Sequence, residues 1–294
     1  MKKVVANILI SAFVFATMEV ALKLAGSALD PLQLTFLRFT GGGIVLLPFG
    51  VAEMRRKGAR LTPGLLGYYL LLGTLCVPLS MVLFQYGILY SNAATAAVLF
   101  CTNPIATAVL AHFFAKDDKL TKGKVLSVLI TIPGILLMIR PWDLMPGNTI
   151  HGALLSIGAG VLFSLYGVLG TRSIQKAGPF TQTAMSFLLG AAVLLAVLIA
   201  TGRPVTHGVI DEMPLVLYTA VVVSGVGYLT YFFVIKHANA TTASIIFLLK
   251  PAIAPVIAVV VLGERISWNM VAGIVLILAA SGAILAEKRR DSKT

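Results

Sequence analysis

Long apolar runs, each about the length of a membrane crossing, alternate along the whole chain with short polar or Gly/Pro-rich breaks. A helix needs roughly 20 mainly apolar residues to cross about 30 Å of hydrocarbon. Ten stretches meet that requirement: 4–25, 31–51, 66–89, 93–114, 124–140, 150–171, 180–200, 214–235, 241–262 and 268–286. The fifth is short and the seventh starts in a polar Thr181-Gln182-Thr183, so these two carry the weakest signal. Lys2 and Lys3 ahead of the first run imitate a secretory signal, but the run exceeds a typical signal core and nine more follow, so it reads as a retained span. Every polar connection is short, which leaves no room for a soluble domain. The pattern predicts an all-α membrane protein with ten transmembrane helices.

Composition agrees with that reading. Of 294 residues, 58% are hydrophobic and 12% charged, where an ordinary soluble domain carries roughly 25% charged residues. A net charge of +12 invites a nucleic-acid reading, but basic residues in a membrane chain first obey the positive-inside rule. With the amino terminus inside, 17 of the 23 Lys and Arg fall on the cytoplasmic side, among them Lys2, Lys3, Arg55, Arg56, Lys57, Arg60, Arg172 and Lys176. Only Lys23, Arg140, Arg203 and Arg265 fall on the other, while Arg38 and Lys250 lie within spans. Both termini are therefore expected in the cytoplasm, and the basic excess is a topology signal with no nucleic-acid partner. The expected compartment is a cell membrane, plasma or inner, of a prokaryote. Cys76 and Cys101 fall within spans without metal-ligand spacing and read as small buried hydrophobes. No metal or cofactor motif is present.

The chain also repeats itself. "NAATAAVLFCTNP" (Asn92 to Pro104) lies over "NATTASIIFLLKP" (Asn239 to Pro251) at a constant offset of 147, matching asparagines, Ala93/Ala240, Thr95/Thr242, Ala96/Ala243, Phe100/Phe247 and prolines. Beyond them the match is looser, with Asp117 or Asp118 opposite Glu264. Five spans per half is an odd number, so the second half enters the membrane from the opposite side. Two inverted five-helix repeats follow, 5–140 and 150–286, with a basic cytoplasmic tail at 287–294. Such an architecture puts a substrate site near the midplane, where the halves meet and rock.

The segments "ALKLAGSALDPLQLTFLRF" (Ala21 to Phe39), "YSNAATAAVLFCTNPIATAVLAHFF" (Tyr90 to Phe114) and "HANATTASIIFLLKPAIAPVIAVVVLGERIS" (His237 to Ser267) resemble the drug/metabolite transporter superfamily, specifically its ten-span exporters built of two EamA domains. In that family the last of these elements has a proline in mid-span and a glutamate at its outer end, as Pro251 and Glu264 are here. The resemblance implies fold and membrane transport. It does not imply a substrate, because the family moves amino acids, nucleobases, cationic drugs and other metabolites on one scaffold. Two departures matter. The aromatic-rich "WG" often found in the family's first span is replaced by "ATME". The glutamate is similar to the proton-exchanging carboxylate of the small multidrug-resistance branch, but Lys23 follows only four residues after Glu19, closer than in that branch.

The polar residues inside the spans are the candidate chemistry. A carboxylate at mid-span costs about 2.5–3.5 kcal/mol on insertion scales, so it normally faces a cavity or a partner. Glu19 is then either a protonatable substrate contact or a structural ion pair; if it lies nearer the interface, it pairs with Lys23 four residues on. Lys250, ten residues from either span end, is too deep to snorkel easily and precedes Pro251, which frees a backbone carbonyl. It faces the central cavity or makes a structural pair. Asn103 stands at its repeat-equivalent place. Arg38 divides between a fold-stabilising pair and the translocation path. Gln85 and Tyr86 have near-counterparts in Tyr228 and Tyr231, and Tyr166 and Ser164 stand where repeat symmetry places Glu19 and Thr17; aromatics in spans otherwise pack or form interfacial belts, and Ser164 otherwise bonds its own helix. The expected substrate-binding set is Glu19, Lys250, Asn103, Gln85, Tyr228, Tyr231, Arg38 and Tyr166, with Glu19 as the proton-coupling residue.

These features point to a secondary transporter, an exporter of a small polar metabolite such as an amino acid or related zwitterion, working by alternating access with proton coupling through Glu19. The alternative is a cation/proton antiporter for amines or cationic drugs. A remote alternative, an intramembrane enzyme, lacks any recognisable catalytic motif. His112, His151, His207 and His237 sit near span ends and imply no chemistry. The oligomeric state is not legible.

Overall fold

The computed structural model describes residues 2–114, 121–237 and 245–291. The repeat residues Asn239 to Ala243, the aspartates Asp117 and Asp118, the basic Lys116 and Lys119, and tail residues 292–294 lie outside the described residues. Within them the chain is helical, with no strand. The helices form rods that we number α1 (Lys2–Gly26), α2 (Pro31–Arg56), α3 (Pro63–Leu89), α4 (Ala93–Phe114), α5 (Lys122–Ile139), α6 (Ile150–Ala177), α7 (Pro179–Ala200), α8 (Met213–Leu217, Tyr218–Val226 and Gly227–His237 in succession), α9 (Ile245–Leu262) and α10 (Trp268–Asp291). The first eight are long and apolar enough to cross a membrane; α9 and α10 carry shorter apolar stretches, Leu249–Leu262 and Trp268–Ala283, among the described residues. The expected spans overlie these rods, the edges differing by a few residues.

Rod starts follow ordinary capping chemistry. Asp30 accepts from Leu32 N at 2.9 Å ahead of Pro31, and Thr149 accepts from Gly152 N at 2.9 Å, satisfying amides that a first helical turn leaves open. Two caps come from across the molecule. Glu264, after α9, accepts from Ala93 N at 2.6 Å and Ala94 N at 3.0 Å at the start of α4. Glu53, near the end of α2, accepts from Phe180 N at 2.8 Å and Thr181 N at 3.3 Å at the start of α7. A carboxylate at a helix amino terminus also opposes the helix dipole.

Four rods are irregular near their middles. In α1 the helix bends at Thr17, whose hydroxyl bonds Val14 O at 2.8 Å and the Tyr218 hydroxyl at 2.5 Å; such back-bonding bends helices. In α4 the turn at Cys101 and Thr102 precedes Asn103-Pro104, where proline has no N–H to continue the ladder. α3 and α8 contain π-helical segments, Leu75–Met81 around Pro78 and Tyr218–Val226, and the offset of 147 carries the first onto residues overlapping the second. The bend in α1 lies against the π-helical segment of α8.

The halves interlock rather than sit side by side. α2 packs most extensively on α7, α3 on α6, α1 on both α8 and α9, and α5 on α10. Small residues set the tightest crossings: a Cβ added at Gly190 of α7 would lie 2.3 Å from Gly73 O of α3, and one at Gly273 of α10 would lie 2.6 Å from Gly134 O of α5. Close approach through glycine is the usual means of helix association in lipid, where apolar surface supplies no drive. Large apolar side chains such as Leu9, Phe13, Ile44, Leu129, Leu154 and Val260 point outward.

Candidate functional site

A cavity of about 530 Å³ runs from the middle of the bundle to one end, within the size range of small-molecule pockets. Its deep wall is built from Phe15 and Met18 of α1, Arg38 of α2, Met81 of α3, Phe100 of α4 and Lys250 of α9. Tyr166, Gln182, Thr183, Tyr228, Tyr231 and Phe247 continue it, and Thr171, Ile174, Gln175 and Pro179 form the mouth. Thr171 and Gln175 are exposed, so the cavity opens where α6 ends and α7 begins, the end that carries Arg55, Arg56, Arg172 and Lys176.

At its deep end two charges meet. Lys250 Nζ lies 2.5 Å from Glu19 Oε1, with the side chains 3% and 1% exposed. Both positions follow from local breaks in the helices: the bend at Thr17 opens the segment that begins at Met18, and Pro251 follows Lys250 inside α9. Lys250 lines the cavity, 5.6 Å above the Phe100 ring. Glu19 sits behind it, and its second oxygen, Oε2, is buried without a hydrogen-bond partner among the described residues. Arg38 is the second buried cation on the wall. Its Nε donates to Ser224 Oγ at 2.9 Å, its Nη2 lies 2.9 Å from Met18 Sδ, and its guanidinium carbon is 4.8 Å from the Phe39 ring centre.

The opposite end of the bundle is closed by polar ties. Arg203 Nη1 donates to Asp30 Oδ2 at 2.8 Å and to the Tyr86 hydroxyl at 3.3 Å, and these two partners raise the guanidinium above its ordinary pKa. Gln33 Nε2 donates to His207 O at 2.9 Å, Gln85 Nε2 to Leu22 O at 3.0 Å, and Lys23 Nζ to Ser91 O. With the Glu264 cap, these ties join α1, α2, α3, α4, α9 and the segment after α7.

Of the eight residues expected at the site, Lys250, Arg38, Tyr166, Tyr228 and Tyr231 line the cavity. Glu19 touches it only through Lys250. Gln85 lies one turn beyond Met81 toward the closed end, where Gly26 admits it: a Cβ there would stand 2.6 Å from Gln85 Nε2. Asn103 is buried outside the lining, and its carbonyl accepts from Ser164 Oγ at 2.8 Å, as does Gly160 O in Ser164's own helix. Lys23 pairs with Ser91 O rather than with Glu19. Lining residues that were not expected include Phe15, Met18, Met81, Phe100, Phe247, Gln182 and Thr183. Only the last two carried a signal, the polar Thr181-Gln182-Thr183 at the start of an apolar run.

A family profile described as the EamA-like transporter family matches residues 2–140 and 150–286. An uncharacterized transporter of Clostridium kluyveri is 36% identical over 288 residues, 96% of this chain and 92% of the relative. Protein PagO of Salmonella typhimurium is 26% identical over 308 residues, 100% of this chain and 99% of that protein. One crystal structure superposes with a TM-score of 0.67 at 18% identity, covering 99% of both chains, which bears on the fold alone.

Proposed function

Because the chain belongs to the EamA-like transporter family, and so is a multi-pass membrane transporter, we propose that the cavity is its substrate chamber and that the protein exports a small polar metabolite, an amino acid or related zwitterion. On this reading it crosses the membrane ten times as two inverted repeats, 5–140 and 150–286, with both termini and the open mouth on the cytoplasmic side. The basic residues at the mouth support that orientation. Substrate enters there, and rocking of the interlocked halves opens the far end.

The observation that carries the reading is the Lys250–Glu19 pair at the deep end of the chamber, with Lys250 on the wall and Glu19 Oε2 unmatched. A substrate carboxylate competes with Glu19 for Lys250, and the substrate ammonium takes the Glu19 oxygens so released. A proton on Glu19 weakens the same pair, which is how proton and substrate movement become linked. The pairing in the empty chamber keeps either charge from being buried alone. An amine antiporter fits less well, because the two charged side chains on the wall, Lys250 and Arg38, are both cations and the carboxylate lies behind Lys250.

The test is ligand binding to purified Lys250→Met. Loss of amino-acid ligands with retention of their decarboxylated amines supports the zwitterion site, and undiminished amino-acid binding removes it.

A further inference from the structure

Arg38 carries a charge that its neighbours leave unbalanced. The residue is 4% exposed, yet its hydrogen-bond partners are a serine hydroxyl and a methionine sulfur, both neutral. A guanidinium presents five N–H donors in a fork that fits a carboxylate, and a thioether is only a weak acceptor. Among the described residues no carboxylate forms an ion pair with it. Glu19, within electrostatic reach, commits Oε1 to Lys250. Two fixed cations therefore face one carboxylate, and among the described residues the cavity lining contains neither Asp nor Glu. Burying a cation without a counter-charge is costly, so the site is built to be completed by an anion.

The same wall carries one further buried amide, Gln182, 3% exposed and beside Tyr166. The rest of the lining specifies the body that accompanies the negative charge. Eight of the nineteen lining residues are aromatic, and Phe15 packs edge-on to Tyr228 at 5.3 Å and parallel to Phe247 at 6.5 Å. Rings in these arrangements accept another flat apolar body by stacking or edge contact, while they offer few groups for a hydroxyl-rich one.

We propose that Arg38 anchors an anion subsite, distinct from the Lys250–Glu19 pair, which takes the carboxylate of a small organic acid whose flat apolar body lies among Phe15, Tyr228 and Phe247. The subsite rests on the reading of the cavity as the substrate chamber, but it needs no ammonium on the ligand. A monocarboxylate without an amino group is thus a ligand in its own right.

The probe is radiolabelled 3-phenylpropionate bound to the purified full-length chain, with its methyl ester and 2-phenylethylamine as competitors. The acid is expected to bind, and neither the ester nor the amine to displace it. Arg38→Lys, which keeps the charge and loses the fork, should weaken the acid about tenfold or more. Absence of acid binding, an ester that competes as well as the acid, or undiminished affinity in Arg38→Lys overturns the subsite. If Arg38→Lys does not fold, the acid-against-ester comparison on the unaltered chain decides. Counterflow of the labelled acid in proteoliposomes separates the two readings: binding without counterflow supports the subsite and removes the cavity's role in translocation.

Discussion

Replacing Lys250 by methionine keeps all but the last atom of the side chain's length and removes its charge, which leaves the Glu19 carboxylate buried without its partner. The expected cost depends on where the pair sits. An exposed ion pair is worth about 0–1 kcal/mol, but these side chains are 3% and 1% exposed with atoms 2.5 Å apart, so the buried case applies. Breaking such a pair from one side costs about 3–5 kcal/mol, whereas replacing both charges is often neutral. Lys250→Met should therefore lose about 3–5 kcal/mol, Glu19→Gln a comparable amount because it strands the ammonium, and the double variant should recover most of the loss. With each single variant losing about 3–5 kcal/mol and the double variant no more than about 1, the coupling energy from the double-mutant cycle is about 5–10 kcal/mol, above the usual range for contacting residues because each single variant strands a buried charge. Unfolding in mixed micelles titrated with SDS, read by a conformation-sensitive fluorescence signal, gives the four free energies. If Lys250→Met is as stable as the unaltered protein and the double variant is no better than either single one, the two side chains do not balance each other and the reasoning fails.

Three further outcomes follow from features at the ends of the bundle. Arg203→Ala removes the tie to Asp30 and Tyr86, so a cysteine at Leu29, placed in a Cys76→Ala/Cys101→Ala background, should react faster with a membrane-impermeant maleimide; an unchanged rate means the tie does not hold that end shut. Glu264→Ala removes the acceptor for Ala93 N and Ala94 N and should cost about 1 kcal/mol, the usual loss for a helix cap, with Glu264→Gln in between; SDS titration measures it, and equal stability of all three forms would contradict the assigned role. Reporter fusions after Arg60, after Arg172 and at the carboxyl terminus should all report cytoplasm, and a signal from the opposite side at any of them breaks the inverted topology.

The rods were legible in the sequence because continuous apolar length is a one-dimensional signal; even α7, weakened by Thr181-Gln182-Thr183, lies where hydropathy puts it. The irregular centres were less so. Pro78, Pro104 and Pro251 mark places where a helix loses a donor, but nothing in the chain distinguishes a π-helical segment in α3 from a turn in α4, because neighbouring rods decide how the freed groups are accommodated. Lys250 and Arg38 stood out as charges in hydrocarbon, and both line the cavity. Gln85 shares a helix face with Met81 but stands one turn beyond the floor of the cavity, a difference of depth that the sequence does not carry. Phe15, Phe100 and Phe247 could not be singled out, since an aromatic ring facing a cavity and one facing a packed core look alike along the chain.

The distance along the chain between Glu19 and Lys250 has a consequence for how the protein is made. The two are 231 residues apart, and at a synthesis rate of about 5–20 residues per second the carboxylate emerges roughly 10–50 s before its ammonium exists. During that interval α1 must enter the bilayer bearing an acid whose partner is not yet there. It can do so with the carboxyl protonated, or it can wait at the interface until α8 and α9 arrive to pack against it. Either way α1, translated long before α9, is among the last helices to reach its final surroundings, and a ribosome stalled before Lys250 leaves behind a nascent chain in which α1 is poorly anchored and open to membrane proteases.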